Sequence, residues 1–504
     1  MITFKNGISK WQNRHETFVE NIKDMYLLGN NPNLSSIDAY CDTTRGIQGI
    51  IKEAVDQNIT LRALGSGWSW AKIATADNGI MLDTKQLNLL FSISQNSVAS
   101  GYTGDSGKLF FAQCGNGVWE ITKYLQSKNL SLKTSGASNG QTIAGVIATG
   151  AHGSAFDVGA VQDFVMGLHI IVSPTRHVYL ERKSLPVVSA SFIAKIQAEL
   201  IQDDELFNAA LVSFGSFGIV HGVMIEATDL FLLEAHMQRL PYDDGLKHIM
   251  ETLDFSNAHL PKGNERPFHF SSYLNPYDLK GGAFVTTMYK RPYSNNYVAP
   301  KSNPTGLGPG DDAPCFIGKL TSAVPALVPK LVTKLLTGTL VPYTAQLGTL
   351  REIFSNTSLH GKLMSAAIGI PVEEVNRVAA LLIKLNKTKG PFSGLFAFRY
   401  VKKTHATLGF QRYPFTSICE LDGAFSNATL DFYHATWLKL EEAGIPFTFH
   451  WGKVNQLNPV RIANMYGNNA DKWVEARNKL LHPDCMQVFS NRTIKQWGLD
   501  KVLP

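Results

Sequence analysis

A short turn rich in glycine and serine constrains this chain more than any other feature of its sequence. Residues 59–64 are mostly apolar and predict a strand, and residues 65–70 then read Gly-Ser-Gly-Trp-Ser-Trp. Glycine lets the backbone adopt positive φ and approach a ligand closely, and serine adds a hydroxyl donor. Successive free amides at such a turn form a concave anion site. An ordinary turn is the alternative, because glycine and serine are frequent in turns of every kind.

A second segment of small residues favours a ligand cradle over an ordinary turn. Residues 135–154 read SGASNGQTIAGVIATGAHGS, a run without Asp, Glu, Lys or Arg. Such an uncharged run is suited to lie beneath a buried ligand, and its hydroxyl and amide groups are hydrogen-bond donors. The two segments together predict a site for a diphosphate.

Better known phosphate loops and a hydrolase motif fit the chain poorly. The GxGxxG pattern requires a third glycine, but Trp70 occupies that place in the first turn and Glu120 occupies it in the turn that starts at Gly115. No glycine and lysine are spaced as in a P-loop. A GxSxG pattern at 136–140 offers Ser138 as a nucleophile, but it lies inside the small-residue segment. We therefore interpret Ser138 as part of the cradle.

Composition excludes several classes of protein. The 504 residues are 44% hydrophobic and 17% charged, which indicates a globular chain with a sizeable core. The net charge of +6 is not gathered into a basic run, so nucleic acid is not an expected partner. The 5 cysteines are scattered without a CxxC pair, so we expect mostly reduced thiols. The 14 histidines are also dispersed, and no metal is expected.

The apolar stretches are poorly suited to export or to a membrane span. The N-terminal residues lack the apolar core of a secretory signal, so we expect a cytoplasmic protein. Residues 320–341 form the longest apolar stretch, but Pro325, Pro329, Lys330 and Lys334 interrupt it. Contact of this stretch with lipid or with a lipophilic ligand stays open.

Hydrophobic periodicity predicts two regions of different character. Up to about residue 232 helix and strand patterns alternate, with helices at 46–58 and 118–128, strands at 59–64, 80–82, 109–114 and 219–227, and a hairpin across 167–180. Beyond that point aromatic residues and longer helices become frequent. The predicted helices are 321–336, 371–384 and 427–443, and the predicted strands are 395–401, 416–421 and 446–451.

Five segments of the chain resemble the vanillyl-alcohol-oxidase type flavoprotein superfamily, with its p-cresol-methylhydroxylase-like FAD domain. The resemblance is greatest to the sugar-lactone and alditol oxidase branch. The segments are LRALGSGWSW, GQTIAGVIATGAHGSA, SFGSFGIVHGVMIEA, FHWGK at 449–453 and FSN at 489–491. The resemblance implies an α+β fold with a two-subdomain FAD-binding domain at 1–232. It also implies an α+β cap with an antiparallel sheet at 233–454 and a C-terminal return to the FAD domain at 455–504.

The resemblance implies FAD held in an extended pose between the two subdomains. The implied cofactor-binding residues are Gly65, Ser66, Gly67, Trp68, Ser69, Ser135, Gly136, Asn139, Thr142, Gly145, Thr149, His152, Gly153, Ile219 and Asn491. Many members of the branch carry a histidine, covalently linked to the flavin, where this chain has Trp68. An indole cannot form that bond, so we expect noncovalent FAD.

Alcohol oxidation requires a proton acceptor, a path for hydride to flavin N5 and positive charge near the reduced flavin. We assign the positive charge to Lys453, which alternation along the predicted strand 446–451 places at the end of one face. A bulge after that strand would bring in His450, which is about as well suited to be a base as to be a core histidine. Glu420 and Asp422 share a strand parity, so both are candidates for a base or orienting group that faces the site, although Asp422 before Gly423 is more typical of a turn cap.

The substrate side departs from the alditol oxidase pattern. The resemblance implies a Glu-x-Arg pair on a cap strand, and the best match is Ala397, Phe398 and Arg399. Arg399 is retained as a clamp for substrate or alkoxide. Loss of the carboxylate beside Phe396, Phe398 and Tyr400 favours a less polar alcohol.

The resemblance implies FAD-dependent oxidation of an alcohol carbon. The electron acceptor is molecular oxygen, which gives hydrogen peroxide, or another acceptor. A sugar lactone or polyol-like small molecule is the expected substrate. Two alternatives stay open: a lipophilic alcohol such as a sterol or natural-product intermediate, and a flavin-binding protein without turnover.

Overall fold

The computed structural model describes residues 1–256, 259–300, 327–356 and 363–503. Up to residue 229 the strands are β1 (Ile2–Lys5), β2 (Lys10–Gln12), β3 (Val19–Asn21), β4 (Asp24–Gly29), β5 (Leu61–Leu64), β6 (Ile80–Gln86), β7 (Leu90–Ser92), β8 (Leu109–Gln113), β9 (Leu130–Ser131), β10 (Val165–Ile171), β11 (His177–Glu181), β12 (Glu199–Gln202), β13 (Ile219–Glu226) and β14 (Thr228–Asp229). The helices of this region are α1 (Ser36–Asp56), α2 (Val118–Gln126), α3 (Ile143–Thr149), α4 (Ala190–Ile196) and α5 (Asp204–Leu211).

Two sheets organise this first region. A four-stranded sheet has the order β1-β4-β6-β5, in which β6 runs parallel to both of its neighbours. A six-stranded sheet has the order β12-β11-β10-β13-β8-β7. Helix α1 buries Ile47, Ile51 and Ala54, whose three- and four-residue spacing produces one apolar face. The two sheets and their helices thus form the two-subdomain arrangement that the resemblance implies.

Helix α1 begins ten residues earlier than the apolar pattern predicts. The additional residues include Thr43 and Thr44, which are buried although they are polar. Both hydroxyls lie within hydrogen-bond distance of the His221 ring nitrogens, at 2.9 and 3.2 Å. Burial is tolerated because these polar groups are satisfied, and a hydrophobic periodicity cannot reveal such a face.

The second region is built on one antiparallel sheet. Its strands are β15 (Phe231–Leu240), β16 (His269–Leu274), β17 (Ala283–Pro292), β18 (Tyr343–Thr349), β19 (Leu363–Pro371), β20 (Gly394–Lys402), β21 (Phe415–Ala424) and β22 (Thr448–Phe449). They pair in the order β18-β15-β17-β16-β20-β21-β19-β22. The helices are α6 (Asp244–Thr252), α7 (Val328–Thr339), α8 (Leu350–Ile353), α9 (Val375–Lys389) and α10 (Asn427–Glu442). The α+β fold with an antiparallel cap sheet is therefore confirmed.

The C-terminal residues fold back against the first region. They form α11 (Pro459–Tyr466), α12 (Asn468–Leu480), α13 (Pro483–Val488) and α14 (Arg492–Gln496). The indole of Trp473 donates to the Val212 carbonyl at 3.0 Å, and Arg477 donates to the Ser216 carbonyl at 2.8 Å. These buried contacts attach the tail to the end of α5 and to the turn before β13.

Two predicted elements differ from the structure in extent. The expected strand 446–451 is regular only over β22, because the Lys453 amide donates to the His450 carbonyl at 3.2 Å and turns the chain. The predicted helix 321–336 corresponds in part to α7, and residues 321–326 lie outside the described residues. Cys315 and the first part of 320–341 lie outside them as well. No helix in the described ranges is long and apolar enough to cross a bilayer.

Candidate active site

One cavity of about 250 Å³ brings the sequence-predicted segments together. Its walls come from the turn at 65–70, the small-residue segment from 136 to 152, the turn before β13, and the face of β20 and β21 that meets the turn at 450–453. Residues far apart in sequence therefore line one space, with the FAD-type segments on one side and cap side chains on the other.

The glycines of the first turn leave room that a larger side chain would fill. A Cβ added at Gly65 would lie 2.0 Å from Oγ1 of Thr142, and Gly67 has a φ of +68°. At the C-terminal end of α3, Gly150 adopts a φ of +72°. The absence of a side chain at Gly65 thus lets the first turn pack closely against Thr142, and Gly67 has the positive φ that is suited to an anion-binding turn.

A buried donor also fits the expected cofactor. The Trp68 side chain lines the cavity, the residue is only 9% exposed, and its Nε1 has no hydrogen-bond partner among the described residues. A buried indole N–H of this kind normally finds an acceptor. An acceptor supplied by a bound ligand would satisfy it, so this residue and the glycine cradle are compatible with a bound dinucleotide.

Most of the predicted cofactor-binding residues line the cavity. Those that do are Gly65, Ser66, Gly67, Trp68, Ser69, Gly136, Asn139, Thr142, Gly145, Thr149 and His152. Four others lie outside its lining, namely Ser135, Gly153, Ile219 and Asn491. Their direct contact with a cofactor stays a prediction.

The four residues outside the lining support the walls. Ser135 donates to Oδ1 of Asn139 at 2.5 Å, and a Cβ at Gly153 would meet the Ser135 carbonyl at 2.2 Å. Ile219 is buried in β13 between lining residues. Asn491 caps α14 and donates to the carbonyls of Lys72, Ile73 and Thr75 at 2.9–3.0 Å. These contacts fix the cradle from behind.

An N-terminal hairpin covers part of the glycine turn. The Arg14 amide donates to the Gly67 carbonyl at 3.0 Å, and Asn13 donates to the Ser69 carbonyl at 3.1 Å. Trp11 of the same hairpin lines the cavity, and the Arg14 guanidinium lies 4.8 Å from the centre of the Trp68 ring. Sequence reasoning missed this segment because residues 10–21 carry no motif, and only tertiary contact reveals their position.

Three charged side chains form the polar wall on the cap side. Nε of Arg399 lies 3.0 Å from Oε2 of Glu420, and Nζ of Lys453 lies 2.5 Å from Oε1 of the same carboxylate. Burial alone would raise the pKa of Glu420, but the two neighbouring cations outweigh it and hold that pKa well below its usual range. Glu420 therefore stays ionised, and its charge balances part of the positive charge in the cavity wall.

The carboxylate that the alditol oxidase pattern places at position 397 has a counterpart across the sheet. Ala397 and Glu420 are directly paired between β20 and β21, so their side chains share one face. Phe398 and Tyr400 alternate with Arg399 and pack into the hydrophobic core instead of lining the cavity. The inference of a less polar site from these aromatic neighbours is thus unsupported by the geometry.

Asp422 is a second buried carboxyl on the same face. It lies inside β21, so the turn-capping role expected for it is wrong. Oγ of Ser365, on the neighbouring strand β19, donates to Oδ1 of Asp422, and both residues line the cavity. Burial raises the pKa of Asp422, although Lys453 partly opposes that effect. Ser365 carried no sequence signal, because its partner is 57 residues away.

Two buried histidines complete the site. The turn after β22 places His450 in the lining together with Lys453, and Nδ1 of His450 accepts from the Gly452 amide at 3.0 Å. His152 follows α3, and its Nε2 lies 4.0 Å from Oε1 of Glu420. Burial lowers the pKa of His152 to about 4, and burial also holds the pKa of His450 well below its usual range. Both rings are neutral near pH 7.

Sequence comparison shows similarity to FAD-binding proteins in the region that contains the glycine turn and the small-residue segment. Residues 36–177 match a family described as an FAD binding domain. The D-arabinono-1,4-lactone oxidase of Candida glabrata is 25% identical over 195 residues, which cover 38% of this chain and 32% of that protein. The L-gulono-1,4-lactone dehydrogenase of Mycobacterium tuberculosis is 26% identical over 241 residues, which cover 48% of this chain and 46% of that protein. The aligned part thus spans about a third to a half of these relatives.

Solved structures with a similar fold match nearly the full length of the chain. The crystal structure of cholesterol oxidase from B. sterolicum matches with a TM-score of 0.70 at 13% identity, over 98% of this chain and 97% of that one. A structure titled solvent-stable cholesterol oxidase matches with a TM-score of 0.69 at 13% identity, over 97% of each chain. The described residues contain no group of three or more His, Cys, Asp or Glu side chains able to hold a metal ion. The resemblance to p-cresol-methylhydroxylase-type FAD-binding oxidoreductases of the lactone oxidase branch is confirmed, because residues 36–177 match the model of an FAD binding domain and the relatives are a lactone oxidase and a lactone dehydrogenase.

Proposed function

We propose that this protein catalyses the FAD-dependent oxidation of an alcohol carbon in a sugar lactone or polyol-like substrate. The observation that carries the proposal is the meeting of the glycine cradle with the Arg399, Glu420 and Lys453 cluster in one cavity. The named activities of the lactone oxidase and lactone dehydrogenase relatives support the same class of reaction.

The residues of the chain have distinct tasks in this proposal. The amides around Gly65 and Gly67 and the small-residue segment hold the diphosphate, and the Trp68 indole donates to the cofactor. Bound FAD supplies the acceptor for the hydride and the two electrons of the alcohol. Lys453 and Arg399 provide the positive charge that stabilises electron density delivered to the site. FAD is bound noncovalently, since position 68 carries an indole.

A hydroxylated substrate fits the polar wall better than a lipophilic one. Glu420 offers carboxylate oxygens to the cavity, and Arg399 offers guanidinium donors beside it. A site built from buried charged groups rejects a substrate that cannot hydrogen-bond them, because those groups would be left unpaired. Molecular oxygen is the proposed electron acceptor, with hydrogen peroxide as the second product.

The test is an anaerobic titration of the purified, flavin-loaded protein. Sugar lactones, polyols and lipophilic alcohols are added separately while the flavin absorbance is followed. Bleaching by a lactone or polyol supports the proposal, and bleaching only by a lipophilic alcohol assigns the site to the other substrate class. A flavin that no alcohol bleaches identifies a binding protein without turnover. Peroxide measured after readmission of air tests the acceptor.

A further inference from the structure

We propose that His152 is the catalytic base of this site, and that its Nε2 takes the hydroxyl proton of the alcohol. The inference rests on the proposed function, and it assigns a proton-transfer role to a residue that the resemblance places only in the cofactor segment. The geometry of hydrogen bonds around the two cavity histidines carries it.

The two histidines are held in opposite tautomers. Nδ1 of His152 lies 3.0 Å from the Gly153 carbonyl, which can only accept, so Nδ1 carries the proton. The amide of Gly452 donates to Nδ1 of His450, so that nitrogen carries the lone pair. A neutral imidazole has one donor and one acceptor nitrogen. Nε2 of His152 is therefore a proton acceptor, whereas Nε2 of His450 carries a proton already.

The surroundings of Nε2 favour the transfer. Oε1 of Glu420 lies 4.0 Å from it, so an imidazolium formed at His152 gains an opposite charge beside it. The other charged neighbours are Arg399 and Lys453, which oppose protonation at rest and are themselves paired with Glu420. His152 is thus neutral before the reaction and has a carboxylate partner after it.

Glu420 is less suited to this role, and Asp422 is the competing base. Glu420 is paired with two cations, and a carboxylate stabilised in this way is a weak proton acceptor. Asp422 accepts from the Ser365 hydroxyl through Oδ1, and burial raises its pKa, so the variant Asp422→Asn is compared with the His152 variants. Oxidation of the alcohol to a carbonyl breaks its C–H bond, and bound FAD would supply the acceptor for that hydride. Its O–H bond breaks with the proton passing to Nε2 of His152.

The first experiment is chemical rescue of flavin reduction in His152→Ala. We expect kcat to fall about 10²- to 10⁴-fold, the usual contribution of a general base, with a smaller change in KM. Added imidazole should restore the rate in proportion to its unprotonated fraction, because it replaces the missing base. His434→Ala, at an exposed site on α10, controls for unspecific effects and should match the unaltered protein with and without imidazole.

Two outcomes would overturn the assignment. One is a His152→Ala protein that reduces its flavin at the original rate. The other is a slow His152→Ala protein that imidazole does not rescue, together with an Asp422→Asn protein whose rate of flavin reduction no longer depends on pH. That result would assign the base to Asp422. A wild-type protein that no alcohol reduces instead contradicts the proposed function, which separates the two failures.

A second measurement does not depend on turnover. Nitrogen NMR of histidine-labelled protein distinguishes the two neutral tautomers, and His152→Gln identifies the signals of this residue. We expect His152 to be protonated at Nδ1 between pH 6 and 8, and His450 to be protonated at Nε2. Protonation of His152 at Nε2 would remove the lone pair on which the inference depends and overturn it.

Discussion

Ala397 and Glu420 face each other directly across strands β20 and β21. Ala397 is buried among apolar side chains, and the carboxylate opposite it pairs with Arg399 and Lys453. Paired residues of an antiparallel ladder have Cβ atoms about 5 Å apart, so a carboxylate can be supplied from either strand with similar reach. The polar wall is thus determined by the ladder and not by one strand alone.

The first prediction concerns moving the carboxylate from position 420 to position 397 on the opposite strand. Glu420→Ala removes the partner of the buried Arg399 and the partly buried Lys453, and it should lower the free energy of unfolding by about 3 kcal/mol. It should also abolish flavin reduction. The double variant Ala397→Glu with Glu420→Ala returns a carboxylate from the opposite strand, and we expect it to recover about 1 kcal/mol relative to the sum of the single changes. Urea unfolding of the four proteins measures the coupling, and strict additivity would show that the two positions are not interchangeable.

The second prediction concerns the glycine cradle. Gly65→Ala places a Cβ 2.0 Å from Oγ1 of Thr142, so the turn must move and bound FAD should be lost at least about tenfold more readily. Gly49→Ala is the matched control, because it lies exposed inside α1 with nothing within 4 Å of its Cβ. That control should retain FAD and gain about 1 kcal/mol of stability. The flavin content of the two variants is compared after gel filtration. Equal retention of FAD by both variants would contradict a role of the glycine turn in FAD binding.

The third prediction concerns Trp68. Because its indole cannot form the histidyl bond, acid precipitation should leave flavin in the supernatant and none in the pellet. Trp68→Phe retains an aromatic ring but removes the buried Nε1 donor, which should weaken FAD binding by about 1 kcal/mol, or roughly fivefold in Kd. Flavin fluorescence on dilution measures this Kd. Flavin retained in the acid pellet would show a covalent attachment elsewhere.

The fourth prediction concerns Lys453. Lys453→Ala should leave FAD bound but slow its reduction by alcohol about 10²- to 10³-fold, because a fixed positive charge near the developing negative charge is lost. Lys439→Ala removes an exposed lysine that pairs with Glu442 on α10, and it should change neither rate nor stability by a measurable amount. Stopped-flow absorbance under nitrogen gives both rates. An unchanged rate in Lys453→Ala would exclude this side chain from the reaction.

The fifth prediction concerns pH and stability. Burial lowers the pKa of His152 to about 4 and the pKa values of His221 and His269 to about 3, whereas an unfolded histidine titrates near 6.5. Between these values the unfolded chain binds more protons than the folded one, so stability is complete above about pH 6.5 and is lost as the pH falls. Each histidine contributes up to about 1.4 kcal/mol per pH unit in that window.

Urea unfolding at several pH values from 4.5 to 7.5 measures this dependence. His221→Gln removes one of the buried titrating groups outside the active site and should reduce the slope. A midpoint that does not change with pH would show that these rings titrate in the folded protein as they do in the unfolded chain.

Much of the chain follows from local sequence. The glycine turn, the small-residue segment, the hairpin of β10 and β11, and the cap strands β20 and β21 are all indicated by residue patterns within a few positions of each other. Backbone preferences and alternation act over such short distances, so these elements can be predicted without knowledge of their neighbours. The same reasoning identified the glycines and placed Glu420 and Lys453 by strand alternation. Trp68 and Arg399 were implied by the family resemblance.

The tertiary structure decided which of these groups meet. Ser365 donates to Asp422, which lies 57 positions further along the chain. The N-terminal hairpin covers a turn more than 50 residues away. His152, which follows α3, lies 4.0 Å from Glu420 on β21. No periodicity encodes such pairs, because they depend on strand order and on the turn that ends β22. The sequence determined the glycine turn, the small-residue segment and the charged residues of the cap strands. The fold placed these segments, the charges and the two histidines around one cavity, since buried polar groups must find partners wherever the packing brings them.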